Sequence, residues 1–132
     1  MYNEGTIIAL SSAPGSGAIA IIRLSGEDAI SKTDLFFKSK SGKRLSKSSG
    51  YSISYGDLVD NDEIIDEVVV SVYKAPHSYT GENIIEISCH GSVYIQQRIL
   101  TLFTDTGVRL ASPGEASLTP VFENNDSILC WI

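Results

Sequence analysis

The chain has 132 residues, enough for a single domain that buries its own core. Its hydrophobic content of 42% and mean hydropathy of +0.06 exclude a disordered chain, and no apolar run approaches the roughly 18 residues of a membrane helix. Because the N-terminus carries Glu4 where a signal peptide has basic residues, we expect a cytoplasmic protein without a membrane partner. A net charge of −6 means that any contact with RNA has to be local or assisted.

Cysteine and histidine are too sparse to indicate a metal site or a disulfide framework. The two cysteines, Cys89 and Cys130, show no CxxC spacing, and the two histidines, His77 and His90, have no supporting ligand pattern. Cys89 lies in an apolar strand pattern, so we expect a buried thiol.

The first elements are two apolar strands, predicted at residues 6–10 and 18–24. Ser25, with Asp28 three residues later, is close to a capping box and predicts a helix over residues 27–37. The predicted inward stripe of this helix consists of Ala29, Ile30, Thr33, Phe36 and Phe37.

A Ser-, Lys- and Gly-rich stretch at residues 38–50 predicts a loop. It holds half of the ten basic residues of the chain, without aromatic residues that would stack on bases. These residues are Lys38, Lys40, Lys43, Arg44 and Lys47. Two interpretations stay open here, a solvated flexible loop and a patch that contacts phosphate.

The second half of the chain predicts three strands, one helix and a last short strand. The strands lie at residues 51–59, 64–73 and 83–89, with a turn at Asp60-Asn61-Asp62. Ser92 caps the helix and Gly107 stops it, before a strand at residues 108–111. The inward positions of this helix are Ile95, Ile99, Leu102 and Phe103. The order β-β-α-β-β-β-α-β predicts an α+β domain with a mixed sheet and two main helices, mainly on one face.

The glycine-rich loop at residues 13–17 is the one candidate for a phosphate cradle. It lacks both the GxGxxG order and a following GK[ST], and a strand rather than a helix follows it, so a tight turn is the better interpretation. No other segment fits Gly-x4-Gly-Lys-Ser/Thr, which excludes a P-loop GTPase within this sequence.

Two charged residues in apolar strands are the candidate site residues. With a period of two, Glu86 shares a strand face with Ile84, Ser88 and His90, opposite the face of Ile85, Ile87 and Cys89. Arg23 ends another apolar strand, on the face of Ile19 and Ile21. Charges in such positions are costly without a partner. They either pair with each other or elsewhere in the domain, face solvent, or contact a ligand, and the pattern does not decide.

Four segments, in this order and spacing, resemble the N-terminal domain of the bacterial tRNA modification GTPases of the MnmE (TrmE) family. The resemblance covers about residues 6–115. The segments are APGSGAIAIIRLSG at residues 13–26, SYTGEN at 78–83, EISCHG at 86–91 and RLASPGE at 109–115.

This resemblance implies a fold similar to the tetrahydrofolate-binding domain of the glycine-cleavage aminomethyltransferase, homodimerisation, and binding of 5-formyltetrahydrofolate. Arg23 and Glu86 match family positions that contact the folate. Full-length members continue into a helical domain with an inserted G domain, which uses GTP, Mg and K. With the flavoprotein MnmG they modify C5 of the wobble uridine in tRNA.

The resemblance implies a boundary at Glu115, with residues 1–115 as the family domain and residues 116–132 as an irregular non-family tail. The tail holds no Lys or Arg, although a family lysine that contacts the folate would fall there. A frame-shifted or truncated reading frame is one explanation, and a short protein with its own tail is another. The alternative functions are a structural dimerisation module without folate binding and a folate-dependent one-carbon transferase.

Overall fold

The computed structural model describes residues 5–12, 17–47, 50–75 and 82–111. Within these ranges the chain forms seven strands and two α-helices, which confirms the predicted α+β class. The strands are β1 Ile7–Leu10, β2 Ile19–Ser25, β3 Phe37–Ser39, β4 Tyr51–Asp60, β5 Glu63–Tyr73, β6 Ile84–His90 and β7 Arg109–Leu110. The helices are α1 Ala29–Asp34 and α2 Val93–Thr104, and a short 3-10 helix lies at Leu45–Lys47.

All seven strands form one mixed sheet in the order β3-β4-β5-β6-β2-β1-β7. Its pairs are antiparallel except for β1 with β7, which run parallel. The pairing of β2 with β6 places Arg23 directly opposite Glu86. Within the described ranges, no helix is long and apolar enough to cross a membrane.

The core lies between one face of the sheet and the two helices. The central strands send alternate aliphatic side chains into it, as the period of two predicts. Helix α2 supplies Ile99 and Phe103, both with no solvent exposure. Burying each such side chain stabilises the fold by about 1.5–3 kcal/mol. The fully buried strand residues include Ile22, Leu24, Val70, Ile85 and Ile87.

The opposite face of the sheet, which we call the open face, carries the alternate residues of β4, β5, β6 and β2. It contains Arg23, Glu86 and a group of exposed large side chains. These are Ile19, Tyr51, Ile53, Tyr55 and Val69, which are between 37% and 64% exposed. Apolar side chains this exposed on neighbouring strands are typical of a surface that contacts a ligand or another protein.

The first helix is shorter than predicted, and the loop predicted after it at residues 38–50 begins with the end of a strand and contains a short 3-10 helix. Helix α1 spans Ala29–Asp34 rather than residues 27–37, and Phe37 begins β3, where it pairs with Leu58 of β4. Ser25 is the last residue of β2 rather than a helix cap. The N-cap is Asp28, whose backbone N–H donates to Thr6 Oγ1 at 2.9 Å. Pairing with a neighbouring strand overrides the helical periodicity here.

The predictions for the second helix and the central turn are confirmed. Ser92 caps α2 by accepting a hydrogen bond from the Ile95 N–H at 3.3 Å, and Gly107 ends the segment with a φ of +100°. Asn61 and Asp62 both have positive φ, as the tight turn between β4 and β5 requires.

Candidate ligand site on the open face

Arg23 and Glu86 are partners in an ion pair across β2 and β6. The Arg23 Nη2 donates to Glu86 Oε2. Arg23 is only 8% exposed, and the Glu86 side chain is 23% exposed. Of the alternatives that the sequence left open, the structure therefore shows the mutual pair. The Glu86 carboxylate remains partly exposed, so that a ligand could also contact it.

The carboxylate of Glu86 can accept further hydrogen bonds beside the one from Arg23. One of its oxygens accepts from Arg23, and its other oxygen accepts no hydrogen bond from the described residues. A carboxylate offers about four lone-pair sites on its two oxygens. Glu86 can thus hold Arg23 and still accept from a ligand that presents N–H groups.

The surroundings of the pair are small or apolar. Ser71 of β5 lies opposite Glu86, and Ile84 and Ser88 flank Glu86 along β6. Ile21 of β2 lies opposite Ser88. Aliphatic and hydroxyl side chains therefore surround this charged pair, and Ile84 among them is only 1% exposed.

The edge of this site is joined to the segment that precedes β6. The Ser25 hydroxyl donates to Glu82 Oε1 at 2.9 Å, and the Gly26 N–H donates to the Asn83 carbonyl at 3.0 Å. Glu82 was not predicted as a site residue. The sequence predicted Ser25 as a helix cap, but its hydroxyl instead donates to the Glu82 carboxylate.

A second polar pair, between His90 and Asp66, was also missed by sequence reasoning. The two oxygens of Asp66 bind the His90 backbone N–H at 2.8 Å and the ring Nδ1 at 2.7 Å. This pair lies beside a pocket of about 170 Å³ on the open face, where Ile19 and Ser88 are among the lining residues. Asp66 sits in a mixed acidic and aliphatic run, and its partner is 24 residues away, so no local pattern could have found it.

A larger cavity, of about 390 Å³, lies beside helix α2 rather than at the predicted site. Arg98 lines it and lies 3.5 Å from both Asp60 and Glu63. A hydrogen bond to the Tyr94 hydroxyl is the main cause that raises the pKa of Arg98. Neither Arg23 nor Glu86 lines this cavity, so the candidate site is a shallow surface on the open face.

The remaining predictions about chemistry concern cysteine and metals. Cys89 is a buried free thiol, as predicted, and burial followed by the charge of Asp66 raises its pKa to about 11. Among the described residues, no group of three potential ligands could hold a metal ion. His77, Cys130 and residues 13–16 lie outside the described residues.

Comparison with known proteins then decides the family. The family described as "GTP-binding protein TrmE N-terminus" matches residues 6–125, nearly the whole chain. The chain belongs to this family. The match continues past Glu115, but residues 112–132 lie outside the described ranges, so the boundary at Glu115 stays a prediction.

Curated relatives of this TrmE N-terminal chain carry the description "tRNA modification GTPase MnmE". The protein from Parabacteroides distasonis is 53% identical over 112 residues, which cover 83% of this chain and 24% of that protein. The protein from Flavobacterium johnsoniae is 50% identical over 118 residues, which cover 89% of this chain and 25% of that protein. The protein from Clostridioides difficile is 46% identical over 115 residues, which cover 87% of this chain and 25% of that protein. The chain thus spans about a quarter of the length of the relatives it matches.

The described parts of two segments that carry the family resemblance, residues 17–26 and 86–91, meet where β2 pairs with β6. Gly17, which precedes β2, donates its N–H to the Gly91 carbonyl at 3.0 Å, and β2 pairs along its whole length with β6. Gly91 has no room for a side chain, since a Cβ there would lie 2.0 Å from the Gly17 carbonyl oxygen. The two backbones are therefore tightly packed at the end of the β2–β6 pair where Ile19 lies opposite His90.

Proposed function

We propose that this chain is the folate-binding and dimerising N-terminal domain of a tRNA modification GTPase, with 5-formyltetrahydrofolate as its ligand. Family membership supports the assignment to such a GTPase. The observation that carries the ligand proposal is the Arg23–Glu86 pair on the open face, a buried cation and a carboxylate with one oxygen that accepts from no described residue.

The donor set fits the pterin ring of a folate. A pterin presents an amino group beside a ring N–H, and a carboxylate accepts such a pair in bidentate fashion. Glu86 has the lone pairs for this while it keeps Arg23. Arg23 fixes the carboxylate in place, and the partly exposed aliphatic side chain of Ile21 supplies an apolar surface near it.

We assign GTP hydrolysis and tRNA modification to the full-length GTPase of which this domain would be a part. Because no segment of this sequence has the P-loop pattern, we assign GTP hydrolysis, with its Mg and K, to a G domain outside this sequence. We also propose that modification of the wobble uridine of tRNA, with the flavoprotein MnmG as partner, takes place in that full-length assembly, in the cytoplasm.

The direct test is calorimetric titration of the purified chain with 5-formyltetrahydrofolate. The wild-type chain should bind it saturably, whereas Glu86→Ala should lose the binding. Glu63→Ala is the matched control, because Glu63 likewise faces an arginine from a strand, but that arginine is Arg98, which lines the other cavity. This control should bind as the wild type does.

A second variant separates loss of the site from loss of the fold. Ser71→Phe leaves the Arg23–Glu86 pair intact but fills the space beside Glu86, and it should abolish binding without changing the melting temperature much. Well-folded wild-type protein that gives no binding heat would contradict the ligand proposal and would favour a structural dimerisation module. Turnover of the folate would instead favour a one-carbon transferase.

A further inference from the structure

The segment 38–47, here called the basic segment, is positively charged in a chain of net charge −6. It contains five basic residues, and all five are exposed. No acidic residue occurs between Asp34 and Asp57. Like charges this close repel one another, so the segment is stabilised by any anionic partner that covers it.

The basic segment is held on the domain by buried contacts. The side chain of Asp34 is only 3% exposed and accepts the N–H groups of Leu45 at 2.8 Å and Ser46 at 3.0 Å. Leu45 is fully buried in the core. Strand β3, at the start of the segment, pairs with β4. The basic side chains are therefore displayed from a fixed backbone, which lowers the entropy cost of binding.

The acidic residues nearby compensate only part of this charge. Lys40 lies 3.5 Å from Asp57 and 3.7 Å from Glu67, and Arg44 lies 3.9 Å from Asp34. Lys38, Lys43 and Lys47 form no ion pair with any described residue.

A sixth cation joins the basic segment from the end of β5. The Lys74 ammonium donates to the Ser46 carbonyl at 3.0 Å. Six basic and three acidic side chains therefore meet here, a local net charge of +3 on a molecule that is otherwise acidic.

We propose that the basic segment is a contact surface for the phosphate backbone of RNA, an inference that rests on the proposed role in tRNA modification. Lysine ammonium groups bind phosphates as point charges, and the segment has no aromatic side chain to stack on bases. The contact is therefore sequence-independent and sensitive to salt. A lipid surface is disfavoured, because the one large apolar side chain of the segment, Leu45, is buried and cannot insert.

The test is fluorescence anisotropy of a labelled tRNA titrated with the chain at several salt concentrations. Three unpaired lysines predict weak binding, with a slope of log K against log salt of about −2 to −3. Lys43→Gln/Lys47→Gln should weaken the binding and reduce the slope by about 2. The control Lys32→Gln/Arg98→Gln removes the same number of positive charges, but at positions outside the basic segment. It should change the affinity and the salt slope less than Lys43→Gln/Lys47→Gln does.

The outcomes distinguish this inference from the proposed function. Equal losses in the two double variants would show that only bulk charge matters and would overturn the inference. Equal or tighter binding to anionic lipid vesicles would overturn it as well. If the chain binds folate but not tRNA, the inference fails alone. If it binds tRNA through the segment but not folate, the folate proposal fails alone.

Discussion

At the scale of single residues, Arg23 keeps its charge in a nearly dry position because Glu86 lies opposite it. Desolvating a guanidinium costs several kcal/mol, and an adjacent carboxylate offsets that cost. Removing Glu86 takes away the carboxylate that faces the Arg23 Nη2 in this nearly buried position.

Replacement of Glu86 should therefore destabilise the fold as well as the site. We expect Glu86→Ala to lower the free energy of unfolding by about 2–3 kcal/mol, measured by urea denaturation. The double variant Arg23→Met/Glu86→Leu should recover most of this loss, because it removes both charges. A Glu86→Ala midpoint equal to that of the wild type would show that Arg23 is solvated or paired elsewhere.

Cys89 predicts a dependence of stability on pH. Its pKa is raised from 9.0 to about 11, chiefly by burial and then by Asp66. The folded state therefore holds the thiol proton between these values, whereas the unfolded state releases it. The contribution of Cys89 is fully present below about pH 9 and is lost as the pH rises to about 11, an effect of at most about 3 kcal/mol.

The measurement is the difference in unfolding free energy between the wild type and Cys89→Ala across this pH range. Other groups titrate there too, but they are common to both proteins and cancel. The difference should shrink steadily above about pH 9. A difference that stays constant would mean that the thiol ionises equally in the folded and unfolded states.

At the scale of elements, the edge strand β3 depends on a close approach of two backbones. A Cβ at Gly56 would lie 2.2 Å from the Lys38 carbonyl oxygen and 2.7 Å from the Ser39 Cα. Since β3 pairs with β4 through Gly56 and Ser39, only glycine fits there.

We expect Gly56→Ala to detach β3 and to cost about 1–3 kcal/mol. Hydrogen exchange should accelerate at the amide of Lys40, which donates to the Tyr55 carbonyl. Gly17→Ala is the control, since a Cβ there meets no atom within 4 Å. Unchanged protection at Lys40 in Gly56→Ala would show that the strands can separate slightly without losing their pairing.

The sequence predicted the elements that have strong local signals. Strand β6 alternates clearly, and α2 has both a Ser cap and a terminal glycine. Strand β3 could not be predicted, because Phe37 fits the helical periodicity and residues 38–39 resemble a polar loop, and all three gain their structure from pairing with Gly56–Leu58. The sequence named Arg23 as one possible partner of Glu86 but could not decide, since Arg23 is 63 residues away and the register of β2 with β6 is set by the whole sheet.

At the scale of the whole molecule, the sheet has two different faces. One is buried under α1 and α2, and the other, the open face, combines the Arg23–Glu86 pair with exposed Tyr51, Ile53 and Tyr55. Such a surface on a small domain is costly in water unless another surface covers it. We infer that a second copy of the chain covers the exposed side chains of β4.

This inference predicts a dimer that one charged substitution disrupts. Ile53 is 59% exposed on the open face, and Ile53→Lys should convert the dimer to a monomer in light scattering after size exclusion. Leu35 is similarly exposed, at 57%, but lies at the end of α1 on the helix layer, so Leu35→Lys should remain dimeric. A wild-type chain that elutes as a monomer at high concentration would contradict the prediction.

The measurement that tests the central claim most directly is an NMR titration of the ¹⁵N-labelled chain with 5-formyltetrahydrofolate. We predict that the shifted backbone amides cluster on β2 and β6 around Arg23 and Glu86, where the carboxylate can accept from the pterin. Shifts that cluster on α2 around Arg98 would place the ligand in the other cavity. That result would contradict the assignment of the folate site to the open face.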